Sequence, residues 1–64
     1  MTHERGRELV INALAYGHTR SAADVVARLE RAGVRLEADV VELMLHELAD
    51  ERLVDAVGSG WRRR

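Results

Sequence analysis

The strongest constraint on this chain is a change of period at Arg52. From Ala38 onward the apolar residues Val41, Leu45, Leu48 and Ala49 recur at helical spacing, and about 100° per residue gathers them into one stripe. Beyond Arg52, Leu53-Val54-Asp55-Ala56-Val57 alternates at period two, Gly58-Ser59-Gly60 offers a turn, and Trp61-Arg62 resumes an extended run. Residues 36–62 therefore read as a long helix feeding a short β-ribbon. Both must bury an apolar face, so the rest of the chain has to pack against this pair.

With 64 residues the chain supports one domain, near the lower limit for a core without staples. It has no cysteine, which removes disulfides and thiolate metal sites. Apolar residues make up 47% of the chain and the only aromatic ones among them are Tyr16 and Trp61. Trp61 is thus the one large side chain able to cover a core of Ala, Val and Leu.

Upstream, a polar and frayed Met1–Gly6 precedes a first helix expected over Arg7–Ala15, with Leu9, Val10, Ala13 and Leu14 inward and Gly17 ending it. Ser21-Ala22-Ala23-Asp24 matches a capping box for a second helix, roughly Ala22–Ala32, that buries Ala22, Val25, Val26 and Leu29. Gly33 suits the left-handed residue that closes it, with Val34 as the following apolar contact. The connection Ala32–Leu36 has the length of the turn in a helix-turn-helix.

This order resembles the winged helix-turn-helix family over about residues 8–62. The residues that carry the resemblance are Leu45-x-x-Leu48-x-x-x-Arg52-Leu53-Val54, a Gly-containing turn and an aromatic-basic strand. The resemblance implies an α+β fold, a three-helix winged helix-turn-helix with a C-terminal two-stranded β-hairpin wing. The whole chain is then a single domain, frayed at residues 1–6 and 63–64. It further implies that His18-Thr19-Arg20 pairs as an edge strand with the ribbon. In DNA-reading members the third helix enters the major groove.

The outer surface of that helix argues for a different partner. With Leu45 at the centre of the inward stripe, Asp39, Val40, Leu43, Glu47 and Asp50 fall within roughly 60° of the outward direction. Between Glu37 and Glu51 there are six acids, one His and no Lys or Arg. Phosphates reward Lys and Arg, and base edges reward Arg, Asn and Gln, so this surface repels a polyanion. Val40, Leu43 and Met44 would form an apolar strip ringed by Asp39, Glu42, Glu47 and Asp50, a composition suited to docking a protein with a basic surface. Two copies meeting there would set acids against acids, which disfavours a homodimer.

The second class is a DNA-binding transcriptional regulator, as the resemblance implies, with Arg35, Arg62, Arg63 and Arg64 on phosphates. Arg20, Arg28 and Arg31 could extend that basic side, away from the third helix. Contact of this kind would be to the DNA backbone and steeply salt-dependent.

Catalysis finds little support. His46-Glu47 begins a zinc-binding His-Glu-x-x-His pattern, but position 50 is Asp. Thr2, Thr19, Ser21 and Ser59 lack a nucleophile motif, and Gly58-Ser59-Gly60 lacks the strand-to-helix setting of a phosphate loop. A chain this short is also too small to enclose a substrate pocket of the usual ~300 Å3. The expectation is a protein without enzymatic activity, cofactor or bound metal. The formal charge of −1 gives no general attraction to membranes or nucleic acid. No apolar run nears the ~20 residues of a membrane span, and the N-terminus lacks the order of a signal peptide, so the expected location is cytoplasmic.

Overall fold

Five elements follow one another: α1 (His3–Ala13), α2 (Ala22–Arg31), α3 (Ala38–Asp50), β1 (Val54–Val57) and β2 (Gly60–Arg63). They come from a computed structural model that describes residues 2–64. Three helices followed by an antiparallel hairpin are the α+β winged-helix layout that the sequence led us to expect.

The first helix starts earlier than its apolar stripe. Thr2 is extended, and its hydroxyl accepts a hydrogen bond from the Arg5 N–H at 3.1 Å, so α1 begins at His3 instead of Arg7. Residues 3–6, expected to lie before the helix, are its first turn, and Gly6 is buried; Met1 lies outside the described residues. At the other end Leu14 turns extended, at φ −88° and ψ 142°. This stops the helix two residues short of the expected Ala15, while Leu14 remains in the core.

The second helix opens as its cap residue dictates, Ser21 Oγ accepting the Asp24 N–H at 3.1 Å. It closes through Gly33 at φ 82°, whose N–H reaches Glu30 O at 3.0 Å while the Val34 N–H reaches Leu29 O at 2.8 Å. The same pair of bonds ends α3. Arg52 N–H meets Ala49 O at 3.0 Å and Leu53 N–H meets Leu48 O at 2.9 Å, but here the left-handed residue is Arg52, at φ 63°. The change of period at Arg52 is thus also a change of backbone hand.

The hairpin pairs Val54 with Arg63 and Val57 with Gly60, leaving Gly58-Ser59 as a two-residue loop that begins at the positive φ of Gly58, 59°. Arg20 joins as an edge. Its N–H and carbonyl exchange bonds with Trp61, each 2.8 Å, and Tyr16 makes a second bridge to Arg63. The approach is so close that a Cβ on Gly60 would stand 2.6 Å from Thr19 Cγ2 and 3.0 Å from Arg20 O. Glycine is required there by its neighbours, in addition to any role in the turn.

One core joins every element: Val10 and Leu14 from α1, Val25 and Leu29 from α2, Val41, Met44, Leu45 and Leu48 from α3, and Val54 and Trp61 from the hairpin. No helix among the described residues is long and apolar enough to cross a membrane.

Candidate functional site

The outward face of α3 depends on where its inward face is centred. Val41, Met44, Leu45 and Leu48 are all buried, so the centre lies beside Leu45 on the Met44 and Leu48 side, a rotation of roughly half a residue step of 100°. Met44, 4% exposed, is consequently a core residue and not a docking anchor. The expected strip is corrected to Val40 and Leu43, which are 38% and 57% exposed.

The rotation also brings Glu47 toward α1. Its Oε1 accepts a hydrogen bond from His3 Nε2 at 2.7 Å and lies 3.9 Å from Arg7 Nε. A carboxylate can only accept, so His3 carries its proton on Nε2 in this contact. Arg7 pairs at its other end with Glu51. That hydrogen bond, followed by the charges of Glu51 and Glu47, raises the Arg7 pKa above its ordinary value against the opposing effect of desolvation. The Arg7 Nε itself is shielded and has no hydrogen-bond partner. Glu47 and Glu51 therefore clamp α1 to α3, and Glu47 is largely committed inside the molecule. No local pattern links Arg7 to partners so far along the chain, so residue spacing had no way to reveal this contact.

What remains outward is Asp39, Leu43 and Asp50, with Glu42 on one shoulder and Val40 on the other, all exposed. Asp39, Glu42 and Asp50 take part in no ion pair among the described residues. On the wing side His46 meets Trp61 edge to face, with ring centroids 4.8 Å apart and planes at 88°. His46 thereby braces the helix against the hairpin. The resulting surface has an aliphatic centre, free carboxylates around it and no cation contributed by α3.

The arginines proposed for phosphate contact have different surroundings. Arg35 is exposed in the α2–α3 connection and Arg62 is exposed on β2. Arg63 lies over the Tyr16 ring at 4.7 Å, and Arg64 Nε sits 3.4 Å from Asp55 Oδ1. Arg64 also donates its N–H to Leu53 O at 3.2 Å, and Arg63 is the last residue of β2.

A surface groove of about 320 Å3 runs between α1 and the end of α3, lined by Ile11, Leu48, Leu53, Arg7, Glu4 and Glu8. It is an open depression. Compared with protein families, curated proteins and solved structures, the chain shows no match.

Proposed function

We propose that this domain is a non-catalytic protein-interaction module of winged-helix type, which docks a basic partner surface on the outward face of α3. Leu43 is the apolar anchor, Val40 widens the apolar area, and Asp39, Glu42 and Asp50 form the rim. The observation that carries this reading is the exposure of Leu43, 57%, on a helix that has free carboxylates and neither Lys nor Arg. A leucine left wet forgoes part of the roughly 1.5–3 kcal/mol its burial is worth. Rim carboxylates add selectivity and speed of encounter more than affinity.

The test compares wild-type protein with a Glu42→Arg, Leu43→Arg double variant in affinity capture from the source cell, followed by direct titration of the captured partner. Both altered residues are exposed, so circular dichroism should be unchanged while binding is lost. Full retention of binding by the folded variant would contradict the reading.

A DNA-binding regulator is the second reading, supported by the exposed guanidinium groups of Arg35 and Arg62. Contact would be to phosphates, with Arg63 and Arg64 leaving Tyr16 and Asp55 to join. Fluorescence anisotropy against mixed duplex DNA separates the two readings. Tight binding at low salt that collapses as salt rises favours the second, and absence of binding favours the first.

A further inference from the structure

Two arginines on α2 and one from the segment before it line one small depression. A pocket of about 180 Å3 is lined by Arg20, Asp24, Ala27, Arg28 and Arg31. Arg28 and Arg31 are three residues apart on α2, hence neighbours on one face. Arg20 comes from the edge segment before the helix, where its backbone is held on both sides by Trp61. Its side chain is half-buried, and its Nε is shielded from solvent without a hydrogen-bond partner.

None of these three guanidinium groups takes part in an ion pair among the described residues. Asp24 lines the same pocket but stays outside ion-pair distance. Three cations that line one small space repel each other, and the shielded Arg20 N–H without an acceptor carries a cost of its own. An anion seated among them would relieve that repulsion.

We infer that Arg20, Arg28 and Arg31 form a binding site for a single terminal phosphate, either inorganic phosphate or a phosphomonoester. A phosphomonoester has three free oxygens and inorganic phosphate four, each with a charge of about −1.5 to −2, which suits several planar guanidinium forks lining one pocket. A phosphodiester in nucleic acid has two free oxygens and a single charge, and is followed along its strand by further phosphates. It calls for a stripe of cations, whereas this site is one point with a carboxylate in its wall. The inference does not depend on what docks against α3.

The experiment follows the arginine Nε–Hε signals of the 15N-labelled full chain by NMR. Inorganic phosphate and free phosphoserine are titrated separately against sodium chloride at matched ionic strength. The Arg20 signal should shift saturably with at least one of them, and Arg28→Gln or Arg31→Gln should weaken binding by about tenfold or more. Both altered residues are exposed on α2, and retained amide dispersion confirms the fold. Arg62→Gln should leave binding unchanged. Similar affinity for the two probes assigns the site to free phosphate, and tighter binding of phosphoserine assigns it to a phosphorylated ligand. Linear shifts reproduced by sodium chloride would overturn the inference, as would full binding in the Arg28→Gln and Arg31→Gln variants. So would a short DNA duplex that saturates the Arg20 signal below the phosphate concentration needed.

Discussion

Met44 and Leu43 are adjacent in the chain, yet one is buried and the other exposed, and truncating each to alanine separates the two placements. Met44 is 4% exposed amid Val41, Leu45 and Leu48. Met44→Ala removes buried volume that the surrounding helices can refill only in part, a loss of about 2–5 kcal/mol for side chains of this kind. Leu43 is 57% exposed, so less than half of the roughly 1.5–3 kcal/mol for full burial is at stake. The slightly better helix propensity of Ala returns a little of it. Leu43→Ala should therefore cost about 1 kcal/mol or less. For a chain of 64 residues, total stability is on the order of 3–10 kcal/mol, so the first variant should be badly weakened and the second nearly native. Trp61 is the only tryptophan and is buried, so urea unfolding followed by its fluorescence reports the whole core. By thermal unfolding, each kcal/mol should appear as about 4–8 °C in Tm. If Leu43→Ala lost as much as Met44→Ala, the placement of the α3 faces would be wrong, and the docking surface with it.

Three further expectations follow from particular contacts. Gly60→Ala drives a Cβ to 2.6 Å from Thr19 Cγ2 and 3.0 Å from Arg20 O, and overpacking of this kind costs about 1–3 kcal/mol. Calorimetry should record the drop in Tm, and an unchanged Tm would mean that the edge segment moves away freely. Arg52→Gly removes the left-handed strain at φ 63°, worth roughly 1–2 kcal/mol, and gives back about 0.5–1 through the flexibility of glycine. The expected net gain of up to about 1.5 kcal/mol should raise the urea midpoint. Arg7→Ala should loosen α1 from α3, seen as faster amide exchange in His3–Ala13. Glu51 raises the Arg7 pKa, so this stabilisation is present below the unfolded-state pKa and lost only as strongly alkaline pH passes the raised value. A penalty that changed between neutral and mildly alkaline pH would contradict that assignment.

Local signals along the chain carried much of the architecture. Ser21 caps α2, Gly33 closes it and Gly58 starts the hairpin loop because each supplies a group or a backbone angle that its immediate neighbours require. The change of period at Arg52 marked the junction of helix and ribbon for the same reason. Thr2 offered an equally local cap for α1, but its signal lay outside the apolar stripe, so periodicity placed the helix start too late.

The candidate face was legible in its charge and less so in its orientation. Six acids and no Lys or Arg between Glu37 and Glu51 are a property of composition, which no packing can alter. Spacing establishes that α3 has an inward stripe, yet it leaves the centre free to turn by a fraction of a residue. That fraction moves Met44 inside and turns Glu47 toward His3 and Arg7. It is set by α1, α2 and the hairpin packing on α3 together, through contacts between residues far apart in the chain. Periodicity records only the neighbours of a residue along its own helix, whereas the identity of the surface that covers them emerges when the elements meet.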